Sequence, residues 1–338
     1  MRIAMPPRRR ATIKDIAVAT DLSQAAVSYA LRGVQTSAET QERVRTVAEE
    51  LGYTGNAVAR ALAKGRTGLI GVVAASLQDL SEQRFVESVG QALERDDLHM
   101  VLIDSDGDPD REQMLARQLA DQLVDGLIVS PLDPSNAAWE DIASALPVVS
   151  VGDALAGPTV GEVIFDNRGG VSMVLEHLRA LGHRRIAVLT PSRPTTPARP
   201  AERRVHEVAA ALDLDATTVN SRHSIEAATE TAAALLGQQP RPTAIFCLSD
   251  SIACGVYAAA NALGLSVPED VSVAGYDDHP IARVVSPTLT SVAWGMPEVA
   301  VHASELLAAA VSGEPRQGAS ARVHVTPRLI RRGSTARL

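Results

Sequence analysis

Apolar residues recur at helical spacing in the first part of the chain and in short, unbroken runs in the rest. Thr12–Thr20 reads as a short helix capped by Thr12, with Asp15 near its positive end. Asp21 marks a turn, since Asp tolerates left-handed backbone better than most residues. Ser23 caps a second helix that reaches about Leu31. At about 100° per residue, Ala26, Val27, Ala30 and Leu31 of this helix fall on one side, and Gln24, Ala25, Ser28, Tyr29 and Arg32 on the other. The second face holds donors, acceptors and a methyl, the groups that read major-groove base edges. A third helix opens at Thr36, where Thr36-Ser-Ala-Glu39 reads as a capping box. Val44, Val47, Ala48 and Leu51 form its stripe, and Gly52 ends it. Helix, tight turn, helix and supporting helix is the helix-turn-helix order, although any three-helix bundle shares the periodicity.

After Tyr53, a short helix is expected from Asn56, its cap, to Gly65, its end. It is too short to be stable alone in water. Its small apolar face beside Arg60, Lys64 and Arg66 suits a segment that orders on DNA; a plain interdomain linker is the alternative. From Gly68 the pattern changes to apolar strands separated by helices. Strands are expected at Leu69–Ala74, Met100–Asp104, Gly126–Ser130 and Pro147–Val151, then at Arg185–Thr190 and near Thr243–Leu248 and Val271–Gly275. Such a rhythm, run twice, predicts two doubly wound parallel sheets with a cleft at the carboxyl ends of their strands. The expected domains are a basic tail (1–10), a helix-turn-helix domain (11–54), a hinge helix (55–66) and an effector-binding and dimerisation core (67–338). The core divides into lobes of about 67–166 and 167–338, with chain crossovers near 166 and 290.

Charge sharpens this picture. The net charge of −8 over 338 residues argues against nucleic acid until its distribution is read. Residues 1–66 hold 11 Lys/Arg against 6 Asp/Glu, whereas the remainder hold 21 against 34. A basic head on an acidic body fits a DNA-binding module carried by a sensor. Aromatic residues make up only 3%, so aliphatic side chains must fill the cores. Cys247 and Cys254 match neither a zinc spacing nor a disulfide framework and are expected to be small core residues. The scattered histidines have no metal spacing, so neither a metal nor a cofactor is expected. No phosphate-cradling loop, nucleophile elbow or zinc-protease motif is present, which argues against an enzyme. No apolar run suggests a membrane span or a signal peptide, and a cytoplasmic protein is expected.

The residues also carry a resemblance. Thr12-Ile-Lys-Asp-Ile-Ala, Leu22-Ser-Gln-Ala-Ala-Val-Ser28, Leu51-Gly-Tyr53, Asn56 and Ala59-Arg-Ala-Leu62 are similar to the head and hinge of the LacI/GalR family of transcriptional regulators. In the body, Glu176-His-Leu-Arg-Ala-Leu-Gly-His183, Val271-Ser-Val-Ala-Gly-Tyr-Asp-Asp278, Ser286-Pro-Thr-Leu-Thr290 and Arg332-Gly-Ser334 resemble family motifs in family order. The resemblance implies a head whose second helix enters the major groove, and a core like that of periplasmic sugar-binding proteins. It also implies hinge helices that pair in the minor groove, where Leu62 would wedge a base step and Ala59 would let the helices pack. The residues expected at DNA are therefore Thr12, Ser23, Gln24, Ala25, Ser28, Tyr29, Arg32, Asn56, Ala59 and Leu62. Tyr29 departs from the family, standing where many members carry a base-reading arginine. Asp21 and Gly55 likewise replace a turn glycine and a proline.

By position, the resemblance places Arg204, Ser249 and Asp277 in the effector cleft. His223 stands where some sugar-responsive members have an aromatic residue, and Trp294 offers a stacking plane or a core tryptophan. Ser249 replaces the usual asparagine, and Glu207 and Val208 replace the Gly-aromatic pair after the arginine. The proline-rich stretch 191–200 is expected to reshape the cleft entrance. The implied protein is a homodimeric repressor on a near-palindromic operator, controlled by a small polar effector, a sugar first, and with no heptad tail for tetramers. A solute-binding protein of the same core fold is the alternative.

Overall fold

The computed structural model describes residues 11–31, 33–53, 66–121, 124–191, 200–222, 224–313 and 321–338. The chain divides into two compact units, 1–67 and 68–338. The first holds α1 (Ile13–Thr20), α2 (Gln24–Leu31) and α3 (Ala38–Glu50). Ile16, Ala17, Val27, Ala30, Val44 and Ala48 form its small core, with Ile13, Leu22, Leu31, Val47 and Tyr53 packed around them. Asp21 takes the left-handed conformation that ends α1, as its place in the sequence predicts. The cap of α3 differs by one residue from expectation. Ser37 accepts from the Thr40 amide at 3.2 Å, while the Thr36 hydroxyl donates back to the Val34 carbonyl. Two adjacent hydroxyl residues compete for one cap, and the pattern alone does not choose between them.

The second unit is two sheets with helices on both faces. In chain order the first lobe contains β1 (Leu69–Ala74), α4 (Leu80–Glu94), β2 (His99–Asp104), α5 (Pro109–Asp121), β3 (Gly126–Val129), α6 (Ala138–Ala145), β4 (Val148–Val151) and β5 (Gly161–Phe165). The second contains α7 (Asn167–Ala180), β6 (Arg185–Thr190), α8 (Pro200–Ala211), β7 (Asp215–Asn220), α9 (Ile225–Leu236), β8 (Ala244–Cys247), α10 (Asp250–Ala262), β9 (Ser272–Tyr276) and β10 (Thr290–Ala293). The chain then returns to the first lobe for α11 (Met296–Ser312) and β11 (Ala321–Val325), and ends in the second with β12 (Arg328–Ile330).

The first sheet runs β11-β5-β4-β3-β1-β2, all parallel, and the second β12-β10-β9-β8-β6-β7, parallel except for β12. The central strands β3, β4 and β8 are buried along their whole length, because helices cover both faces. The edge strands β7 and β11 instead alternate between exposed and partly buried residues. The chain therefore passes between lobes three times, after Phe165, Ala293 and Val325. This corrects the expected extent of the second lobe, 167–338: residues 296–325 belong to the first lobe, and a further crossing follows Val325. Val299, Ala300, Ala303 and Leu307 of α11 join Phe85, Val86 and Val89 of α4 in one core. That core continues through Tyr276, Trp294 and Met296 into Ile186 and Val188 of the second sheet, so the base of the cleft is solid. Close packing there needs Gly170, where a Cβ would stand 2.4 Å from the Tyr276 hydroxyl. No described helix is long and apolar enough to cross a membrane.

Candidate functional site

The head presents the face that the periodicity predicts. Val27 and Ala30 are fully buried, whereas Gln24 and Ala25 are exposed and Tyr29 is 37% exposed. Ser28 is half-buried. Ser23 starts this helix by accepting from the Ala26 amide at 3.1 Å, and α1 starts where the Thr12 amide and hydroxyl both donate to Asp15 Oδ2 at 2.7 Å. Thr12 and Ser23 thus serve as caps in the structure. The Arg43 guanidinium donates to the Thr20 carbonyl at 3.4 Å, tying α3 to the turn. Arg32, Asn56, Ala59 and Leu62 lie outside the described residues.

In the core a cavity of about 500 Å³ opens at the carboxyl ends of the strands of both lobes. The first lobe lines it with Asp79, Ser81 and Phe165, among others, the second with Arg203 and Asp277, and the crossing segment after β10 with Trp294. Asp277 ends β9 in a strained left-hand conformation, φ 113°, and Asp278 follows at φ 48°. The Asp277 amide donates to the Val292 carbonyl at 2.8 Å and the Asp278 amide to Ser291 Oγ at 3.0 Å, which fixes the turn. Asp277 Oδ1 accepts from Trp294 Nε1 at 2.9 Å, while Oδ2 is buried without a hydrogen-bond partner. Burial first, then the charges of Asp79 and Asp250, push the Asp277 carboxyl well above the usual carboxylate range. The Trp294 ring stacks on Phe165 with centroids 4.5 Å apart. Trp294 is therefore both a wall of the cleft and the group that orients Asp277.

The other expected effector residues stand differently. Arg204 Nε donates to Ser172 Oγ at 3.2 Å and Nη1 to Glu207 Oε2 at 3.1 Å, and Arg204 does not line the cavity. Glu207, a departure noted in the sequence, supplies the reason: exposed on α8, it draws both Arg204 and Arg168 to its carboxylate. These guanidinium groups hold the Glu207 carboxyl below its ordinary range. Arg203, one residue earlier on the same helix, faces the cleft instead. Ser249 is buried behind the lining, where it caps α10 by accepting from the Ser251 amide at 3.2 Å. Its hydroxyl donates across the lobes to Asp79 Oδ1 at 3.3 Å, as the Ser251 hydroxyl does at 3.2 Å. Asp79 itself caps α4. His223 and residues 192–199 lie outside the described residues. The sequence reading missed Asp79, Ser81, Phe165 and Arg203. Asp79 was accessible to it, because it stands between β1 and α4, at the strand end where such folds bind ligands.

The remaining motif residues hold this site in place. Asp278 pairs with Arg332, both largely buried, and Arg332 Nη1 also donates to the Leu289 carbonyl at 2.7 Å. Ser334 Oγ donates to the Val273 carbonyl at 2.6 Å, and His183 meets Thr243 Oγ1 at 3.0 Å and the Ala336 carbonyl at 3.1 Å. Asp250, buried beneath the turn, accepts from Ser291 Oγ at 2.7 Å and from the His279 amide at 2.8 Å. Burial raises its carboxyl to about 7. Arg332→Ala leaves the largely buried Asp278 beside Asp250 with only the exposed Arg283 guanidinium, 3.4 Å from Oδ2, as its cationic partner. A loss of about 3 kcal/mol in core stability is expected, measured by urea unfolding. A loss below about 1 kcal/mol would show that the pair is solvated. The cysteines are free, with Cys247 buried and Cys254 half-buried, and no group of potential metal ligands occurs among the described residues.

Known proteins match both halves of the chain. The family described as "Bacterial regulatory proteins, lacI family" matches residues 12–56, and the "Periplasmic binding protein-like domain" matches residues 175–335. The HTH-type transcriptional regulator MalR of Streptomyces coelicolor is 32% identical over 338 residues, covering 96% of each chain. The ribose operon repressor of Haemophilus influenzae is 30% identical over 304 residues, covering 88% of this chain and 91% of the repressor. Among solved structures, a complex of the transcriptional regulator CelR with cellobiose is similar at a TM-score of 0.67 and 26% identity, over 96% of this chain and 100% of that one. Identity at this level along nearly the whole of both chains, with head and core in the same order, shows that the chain belongs to the LacI family, as a DNA-binding transcriptional regulator and not an enzyme.

Proposed function

We propose that the protein is a cytoplasmic homodimeric repressor of a near-palindromic operator, controlled by a small polar effector of the sugar class in the cleft. The observation that carries this reading is Asp277. A strained turn aims its carboxyl at a 500 Å³ cavity, in the same chain as a head with an exposed reading face. One recognition helix reads only a few base pairs, so specificity calls for two half-sites and two chains. Gln24, Ala25, Ser28, Tyr29 and Arg32 are proposed to read the major groove, with Thr12 and Ser23 setting the helices that carry them. Asn56, Ala59 and Leu62 are proposed to form the hinge that enters the minor groove. In the cleft, Asp277, Trp294 and Arg203 are proposed to meet the effector, with Ser249 acting through Asp79; Arg204 and His223 are proposed as members of its rim. The relative with cellobiose bound supports a carbohydrate first. A solute-binding protein without gene regulation has no use for the head.

Two titrations test the scheme once a thermal-shift screen has found an effector. Operator binding at fixed effector and effector binding at fixed operator are expected to shift by the same factor, between about 5- and 150-fold. Unequal factors would sink a two-state coupling, and sedimentation as a monomer both free and on DNA would sink the dimer. The hinge is tested separately. Leu62→Ala is expected to weaken operator binding by about tenfold or more while leaving effector affinity and core melting unchanged, because an apolar wedge makes its contacts only in the bent complex. Operator binding like the parent's would remove the wedge.

A further inference from the structure

We propose that the effector presents a protonated amine to Asp277 and Ser81, so that the ligand is a polyhydroxylated amine such as an amino sugar. The inference rests on the reading that the effector occupies the cleft. Two oxygens, one from each lobe, carry it. Asp277 Oδ2 and Ser81 Oγ are both buried, both belong to cavity-lining residues, and their only polar approach is to each other, short of full hydrogen-bond geometry. That approach of the Ser81 hydroxyl favours the charged form of Asp277 and leaves both oxygens short of their full set of partners. An ammonium group has donors for both oxygens at once.

Charge decides between an ammonium and a neutral hydroxyl. Asp79 also lines the cavity, two residues before Ser81, and its carboxylate is fixed there by the hydroxyls of Ser249 and Ser251 on the opposite lobe. The charges that bear most on Asp277 are those of Asp79 and Asp250, both negative. Arg203 is the only cationic residue among the described lining, and it comes from α8 on the second lobe. A neutral hydroxyl leaves the Asp79–Asp277 repulsion in place. A cation between them opposes both charges, and the indole beside Asp277 adds a face that attracts cations. An anionic group, such as a sugar phosphate, would meet repulsion at the same spot. The amine would also bridge the lobes, because Asp277 belongs to one and Ser81 to the other.

Calorimetry and Trp fluorescence on the full chain, at a pH where the amine is charged, test this with three matched sets. These are glucosamine, galactosamine and mannosamine; their parent hexoses; and their N-acetyl forms, which keep the nitrogen but lose the charge. At least one amino sugar is expected to bind about tenfold or more tightly than both its parent and its N-acetyl form, the size of one charge-assisted hydrogen bond. Ser81→Ala and Asp79→Asn are each expected to reduce that preference several-fold. Ser81→Ala removes one hydroxyl that makes no bond, so it keeps the test open if Asp79→Asn disturbs folding. Parent hexoses that bind as tightly as the amines, and lose binding in Asp277→Ala, would overturn the amine and uphold the cleft. Binding by none of the three sets would overturn the amine and count against the sugar reading as well.

Discussion

Asp277→Ala is expected to abolish the effector response and to lower effector affinity by about 100-fold or more. The carboxyl is aimed at the cavity by a turn in which two successive residues hold positive φ, an arrangement that costs about 1–3 kcal/mol per residue and persists only where the surroundings enforce it. Those surroundings are the Val292 carbonyl, Ser291 Oγ and the Trp294 indole. A hydrogen bond to a charged group contributes about 1.5–3 kcal/mol, and Asp277 offers Oδ2 whole and Oδ1 in part. The substitution also relieves a buried carboxyl of repulsion from Asp79 and Asp250, so the core itself should melt no lower than the parent. Operator binding without effector should change little if the effector releases DNA. If the effector recruits DNA, the variant should stay in the weakly binding state. Full coupling in Asp277→Ala, read by operator titration with and without effector, would remove this residue from the site.

The contrast between Asp277 and Arg204 shows what the sequence could and could not convey. The resemblance named Asp277, and its place just after a buried strand, where a doubly wound fold faces the ligand crevice, agrees with its lining of the cavity. Arg204 was placed by position on a helix, and helix faces change with single neighbours. Glu207, one turn away, pairs with Arg204 and Arg168, and the guanidinium turned to the cleft is that of Arg203. The same limit applies to the lobes. The repeated strand rhythm predicted two sheets, but β11 joins the first sheet beside β5 after some 150 intervening residues, a pairing that no local pattern encodes. Its alternating exposure, like that of β7, reflects an edge position with one covered face, so neither strand has the continuous apolar run that marks β3 or β8. Asp79 was missed for a related reason. An aspartate before a helix reads as a cap, and it is one, but its contacts with Ser249 and Ser251 come from a segment about 170 residues away.

Operator affinity is expected to fall by about 10³–10⁵ between 50 and 200 mM salt, the response of a protein that neutralises roughly six to ten phosphates. The chain concentrates its positive charge for this task. Residues 1–66 carry 11 Lys/Arg against 6 Asp/Glu, while the rest of the chain is strongly acidic. The acidic body repels the phosphate backbone, so attraction must come from the head, and counterion release there sets the slope. Two heads on the proposed dimer would double the number of phosphate contacts and hence the slope on a log–log plot. A head fragment lacking the core should therefore bind weakly and with about half the slope, because dimerisation is assigned to the core. The base-reading residues act differently. Changing Gln24 or Tyr29, exposed on α2, should alter the preferred operator sequence and leave the slope unchanged, since base contacts specify and phosphate contacts position. Gel-shift or anisotropy titrations across the salt range decide the matter. A flat response would mean that the basic head does not lie on the phosphate backbone, and an equal slope for the fragment and the full chain would mean that only one head engages the operator.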